Sequence, residues 1–264
     1  MIPKEHGAWN VLFISITAGW LALGGWNPAA LAITVLFILG FVLRAPLSVW
    51  RQWRLANPGL ARLGLATFSA ELVLFAVSGR VFWALSPPEA LRWVLLGAIP
   101  IGFGMAGLYL RFKNLRFLWA EVLGFLGLTL LVPVVYLCGE GATRDKALWL
   151  YALFAGQSVL ALTYVKVRQG WLASSRKGGT IDGAARWRDG GRTLAYHGLF
   201  VLGILACPHG GGWLALGPLA AFLRASGGIS KGRPGLPIMK LGLQEMAYSM
   251  VYMILTLFAW KAFI

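Results

Sequence analysis

The chain has 264 residues, of which 58% are hydrophobic and only 12% charged, and it carries a net charge of +15. A soluble domain carries about 25% charged residues, and so few polar groups cannot cover so apolar a chain in water; an ordinary soluble globule is excluded. The apolar runs are continuous and about 20 residues long, as membrane helices require, whereas a membrane β-barrel would show short alternating segments. The sequence therefore predicts an all-α, polytopic transmembrane helix bundle forming a single domain over residues 1–264. The positive charge is read as topology and contact with membrane lipids through their anionic headgroups, with no nucleic acid as partner.

The chain opens with Pro3-Lys4-Glu5-His6-Gly7-Ala8-Trp9-Asn10, set directly against the apolar run from Val11 to Leu23. A cation, a carboxylate and an imidazole at the mouth of a membrane helix must face water, headgroups or a lined cavity. No basic region with a small-residue cleavage site precedes the run, so the first helix is expected to be retained. Nine spans follow from the hydrophobic pattern: 9–24, 27–47, 63–86, 91–111, 116–138, 146–167, 192–208, 211–225 and 239–262. Gly102, Gly104 and Gly107 interrupt the fourth. The seventh and eighth are short and divided only by Pro208-His209-Gly210-Gly211-Gly212, a stretch suited to a tight reversal.

Charge tests this partition. With the N-terminus inside and strict alternation, 19 of the 24 basic residues fall on the inner side. Such asymmetry is the positive-inside signature, and it places the protein in a bacterial inner (cytoplasmic) membrane with the N-terminus cytoplasmic. The longest polar stretch, Lys166 to Arg192, is then an inner loop, with a short amphipathic helix around Ile181 to Trp187; a second inner loop runs from Ala225 to Lys240. Trp50, Trp53, Trp93, Trp149, Trp171, Trp213 and Trp260 fall near span ends, where an interfacial belt is expected. Cys138 and Cys207 are too few for a metal cage; a single bridge between them stays open.

Chemistry has few places to reside. Glu71, Glu121 and Glu245 lie in or at the edge of spans, where carboxylates are candidates for function; Glu121 and Glu245 are close enough to the inner surface to pair with an Arg or Lys of a neighbouring helix. His6 and His197, both on the inner side, suit a metal or a haem iron. The basic inner rim is the most specific feature. Arg44 and Arg51 close the second span, Arg111 and Lys113 occupy the next inner loop, and Lys166 begins the one after. Together with Lys4, His6, Trp9, Asn10, His197, Arg224, Lys240 and Glu245 they form the candidate site for a ligand or a lipid headgroup, since arginine suits bidentate phosphate binding. No serine–histidine–aspartate set, P-loop or dinucleotide fingerprint is present.

The opening motif Pro3-Lys4-Glu5-His6-Gly7-Ala8-Trp9 resembles the start of the YwiC-like family of bacterial membrane proteins. Tyr164-Val165-Lys166, Tyr196-His197, Arg224 and Lys240-Leu241-Gly242 with Glu245 look like later parts of the same family. That resemblance implies an integral membrane protein and no particular reaction. A more distant resemblance is to the UbiA-type prenyltransferases, also built from nine helices; Tyr109, Arg111, Lys113 and Arg116 followed by Gly124 and Gly127 look like their fourth-to-fifth inner loop. Those enzymes hold magnesium on aspartate-rich motifs after the second and sixth spans. The corresponding places here read Arg44-Ala45-Pro46-Leu47-Ser48-Val49-Trp50-Arg51 and Tyr164-Val165-Lys166-Val167-Arg168, without an aspartate. Magnesium wants oxygen ligands, so no magnesium is expected, while a haem or a quinone stays open as cofactor.

Two functional readings follow. The first is a non-catalytic membrane protein that binds a lipid, quinone or isoprenoid, or serves as a subunit of a larger respiratory or photosynthetic complex with protein partners. The second is a membrane-embedded enzyme acting on an anionic prenyl or lipid substrate, with Glu5 and His6 as its catalytic candidates. Transport is disfavoured, since no matching pair of broken half-repeats is visible.

Overall fold

The computed structural model describes residues 6–111, 118–176, 182–207, 211–231 and 238–263, and among them every regular element is helical. Lipid offers no hydrogen bonds, so a spanning backbone must satisfy its own groups, as a helix does. In chain order the helices are α1 (His6–Leu23), α2 (Pro28–Val42), α3 (Arg44–Trp53), α4 (Pro58–Leu85), α5 (Pro88–Trp93), α6 (Ile99–Arg111), α7 (Leu118–Thr129), α8 (Leu131–Leu137), α9 (Arg144–Arg176), α10 (Gly183–Leu205), α11 (Gly211–Leu214), α12 (Leu216–Lys231) and α13 (Ile238–Phe263). They follow the nine expected spans, several of which are stepped into two pieces. Among the described residues, five stretches are long and apolar enough to cross a membrane: Pro28–Trp50, Pro58–Leu85, Leu118–Leu137, Arg144–Arg176 and Met239–Ala262, with Gly7–Leu23 a shorter apolar helix. This is a membrane protein.

The boundaries have local causes. Asn27 and Asn57 each cap a helix whose first residue is proline; Asn27 Oδ1 accepts from the amides of Ala29 and Ala30 at 2.8 and 3.1 Å, and Asn57 Oδ1 from Leu60 at 3.1 Å. Proline suits that first position because its missing N–H would be unpaired there anyway. At the other end of α1, Gly24 adopts φ +77°, the left-handed conformation that closes many helices.

Three expectations are corrected. The fourth span is not broken at its later glycines: the helix continues through Gly102 and Gly104, and the irregularity is a π-turn at Val94–Ala98. Pro100 supplies no N–H to the preceding turn and its ring crowds the carbonyl there, so the ladder widens just before it. The long inner loop is mostly helix. α9 runs to Arg176 and α10 starts at Gly183, capped by Asp182 Oδ1 on the amide of Ala185 at 2.6 Å. Residues 183–187 are thus the first turns of the seventh rod and not a separate amphipathic helix. Likewise α12 continues to Lys231, past the expected end at 225. Neither stretch contains proline, and isolated glycines do not stop a packed helix.

Cα packing groups the chain into two interleaved units, Met1–Gly107 with Leu130–Ala147, and Leu108–Thr129 with Leu148–Ile264. In the first, α4 packs along α2 and α3, while α8 is enclosed by α1, α2 and α5. Every residue of α8 is buried. In the second, α10, α12 and α13 pack in succession, and α9 joins them through Tyr252, whose hydroxyl donates to the carbonyl of Leu153 at 2.7 Å.

Candidate functional site

The polar interior of the second unit is assembled from residues at helical spacing. Tyr164, Arg168 and Trp171 share one face of α9, and Arg224 and Gly228 one face of α12. Glu245 and Tyr248 lie one turn apart on α13, as do Thr193 and His197 on α10. Arg224 Nη1 donates to Glu245 Oε2, and both side chains are buried, at 4% and 10% exposure. The guanidinium carbon of Arg224 lies 4.3 Å from the centroid of the Tyr164 ring and 5.5 Å from that of Tyr248, a cation–π arrangement that strengthens as water is excluded. Arg168 Nη1 donates to the carbonyl of Gly228 at 2.9 Å. An added Cβ at Gly228 would collide with the Tyr164 hydroxyl, so only glycine lets α12 approach α9 this closely.

His197 is 1% exposed, and its Nδ1 lies 2.8 Å from the carbonyl of Thr193. A carbonyl only accepts, so Nδ1 carries the proton and Nε2 presents a lone pair. Arg224 is near enough for its charge to act on this ring. Among the described residues, His197 Nε2 and Arg224 Nε and Nη2 are buried without a hydrogen-bond partner.

A second feature lies on the same helices. Two adjoining cavities of about 590 and 340 Å³ share Lys166, Val167 and Asp189 in their walls. The larger adds Trp171, Ser174 and Arg188, and the smaller adds Arg192 and Thr193. Lys166 Nζ donates to Glu121 Oε1 at 2.7 Å, both side chains being part-exposed. Arg188 and Asp189 form a 3.4 Å contact at the surface, with exposures of 79% and 43%; such a pair contributes little. The groove walls thus carry Lys166, Arg188 and Arg192, of which Lys166 pairs with Glu121 and Arg188 with Asp189.

The structure brings Arg224, Glu245 and His197 together and places Lys166 on the groove. Glu121 and Glu245 pair with a lysine and an arginine of other helices, as their positions allow. Lys240 is exposed on the first turn of α13. In the first unit, Trp9 meets Phe41 edge-on with ring centroids 4.8 Å apart, and Asn10 is half-buried in α1. Lys4, Glu5 and Lys113 lie outside the described residues, as do the side chains of His6, Arg44, Arg51 and Arg111. Tyr164, Tyr248, Arg168 and Trp171 complete the cluster and were missed as site residues, although the 164–168–171 spacing could have shown a shared face. Trp171 and Trp260 are only 3% and 6% exposed; these two are packed among the helices. Cys138 and Cys207 are free thiols.

An all-α membrane protein with an ion pair packed between tyrosines inside one helix cluster is the class that fold and site define. The chain belongs to the YwiC-like family: the family model described as YwiC-like protein matches residues 2–136. No curated protein and no solved structure matches it.

Proposed function

We propose that this YwiC-like protein is a non-catalytic lipid-binding protein of the bacterial inner membrane, and that the groove along α9 and α10 receives an anionic headgroup. The observation that carries the reading is the placement of Lys166, Arg188 and Arg192 around two adjoining cavities with Asp189, among the described residues, as the one carboxylate in their walls. Arginine and lysine bind phosphate oxygens through charge-assisted hydrogen bonds. Each basic group near an anionic surface adds about 1 kcal/mol of attraction. The positive-inside asymmetry supports a cytoplasmic position for the α9–α10 connection, and the number of rods supports the distant UbiA-type resemblance.

The test is lipid retention. Protein purified from membranes should carry phosphatidylglycerol in excess over its bulk share, read by native mass spectrometry. The triple variant K166Q/R188Q/R192Q should lose that excess, and equal retention by both proteins overturns the proposal. A cysteine placed at Arg188 should react with a membrane-impermeant maleimide only from the cytoplasmic face.

A further inference from the structure

The interior of the second unit also holds polar groups that the groove does not use. The guanidinium of Arg224 spends one N–H on Glu245 and keeps Nε and Nη2 unpartnered, although the side chain is 4% exposed. His197, on the neighbouring α10, is 1% exposed and keeps the lone pair of Nε2 unpartnered. Buried polar atoms are almost always hydrogen-bonded, and exceptions call for an explanation. In a helix interior an ionisable residue points to function before it points to structure.

The geometry points to a binding site here for the head of an uncharged, membrane-dissolved molecule that bears hydroxyl oxygens on a flat ring, of the quinol class. Three features select it. Arg224 offers donors, which one quinol hydroxyl oxygen accepts, while His197 Nε2 offers an acceptor, to which the other hydroxyl donates. A phosphate, by contrast, would set its charge against Glu245 and against the His197 lone pair, in surroundings where unmatched charge is costly. The rings of Tyr164 and Tyr248 already flank the guanidinium, at 4.3 and 5.5 Å, and aromatic faces favour a flat head. This site and the anionic groove are separate claims on different side chains.

The experiment uses the full-length protein in nanodiscs of phosphatidylcholine alone, titrated with ubiquinone-1 and, in parallel, its quinol, with quenching of intrinsic tryptophan fluorescence as the readout. Saturable binding of one quinol per chain is expected, with weaker binding of the quinone, which has no hydroxyl to donate to His197. The variants are H197L, which removes the acceptor, and R224M/E245M, which removes the ion pair without stranding either charge. Each should weaken binding about tenfold or more, the scale of one lost buried hydrogen bond to a charged or polar partner. The groove variant K166Q/R188Q/R192Q should bind like the parent. If R224M/E245M does not fold, as judged by its melting transition, R224K replaces it, keeping the charge and losing the planar fork of donors. Non-saturable partitioning by the parent overturns the proposal, and so does undiminished affinity in both interior variants. Loss of binding in the groove variant alone also overturns it, by moving the quinol to the groove.

Discussion

In the first unit the most enclosed element is α8, a seven-residue helix of Leu131, Val132, Pro133, Val134, Val135, Tyr136 and Leu137 in which every residue is buried. Its neighbours meet it through shape: an added Cβ at Gly19 would lie 2.9 Å from Val135 Cβ. In the second unit the centre is a charge pair between tyrosines. Among the described residues, the buried arginines, histidine and glutamate all fall in that second unit. Lipid tails are as apolar as leucine, so helices in a membrane gain little from apolar contact as such; close packing and polar links hold them. The two units use these two means in different proportion. The family match, residues 2–136, covers most of the first unit together with 108–129 of the second, and leaves Arg224, Glu245 and His197 beyond its end.

The largest expected effect tests the polar half of that contrast. E245A leaves Arg224 buried without its counter-ion and should cost about 3–5 kcal/mol, as breaking one side of a buried pair does. R224M/E245M should recover most of that loss. Thermal unfolding in mild detergent, run as a double-mutant cycle, measures both. A single variant as stable as its parent would mean that the second unit is also held by shape.

Leu131→Ala tests the other half. Its side chain is fully buried, and removing it from a site enclosed by three helices should cost about 2–5 kcal/mol, depending on how far the cavity collapses. The same unfolding assay reads it. No second substitution in the polar cluster should rescue it, since sites with no shared contacts add independently.

Much of this contrast was legible beforehand, and the reasons differ by residue. The nine rods were visible because lipid demands long apolar runs, and a charge such as Lys166 or Arg111 marks a run's end. For Glu121 and Glu245 pairing and function both stood open, pairing because a lone carboxylate near the membrane is costly. What stayed hidden was which cation each would meet. Lys166 and Glu121 are 45 residues apart and Arg224 and Glu245 are 21 apart, and hydropathy carries no information on which helices adjoin. The extra turns of α9, past 167 to Arg176, were missed for another reason. Polar residues outside the lipid core look like loop by hydropathy, although nothing in Gln169-Gly170-Trp171-Leu172 terminates a helix.

Glycines give a smaller effect that sharpens the comparison within the second unit. A Cβ at Gly190 would lie 2.7 Å from Ile229 Cγ2, whereas one at Gly203 meets nothing within 4 Å. G190A should therefore cost about 1–3 kcal/mol through overpacking. G203A, in the same helix, should stabilise by about 0.5–1 kcal/mol, because alanine loses less backbone freedom on folding. Equal shifts in melting temperature for the two would mean that α10 and α12 do not approach as described.

The smallest effect separates two roles of one side chain in the first unit. Asn27 caps α2 through Oδ1, and its Nδ2 donates to the carbonyl of Cys138, just beyond α8, at 2.7 Å. N27A loses both and should cost about 2 kcal/mol, roughly 1 for the cap and 1 for the amide-to-carbonyl bond. Serine caps as well as asparagine but is too short, and has no amide, to reach Cys138; N27S should therefore cost about 1 kcal/mol, the tertiary bond alone. The difference between the two variants isolates the cap. If N27S matches the parent, the long-range bond contributes nothing, and packing around α8 accounts for the whole junction. If N27S is as damaging as N27A, even the shape-packed unit depends on a polar link between distant parts of the chain, and the two units differ only in how much charge that link carries.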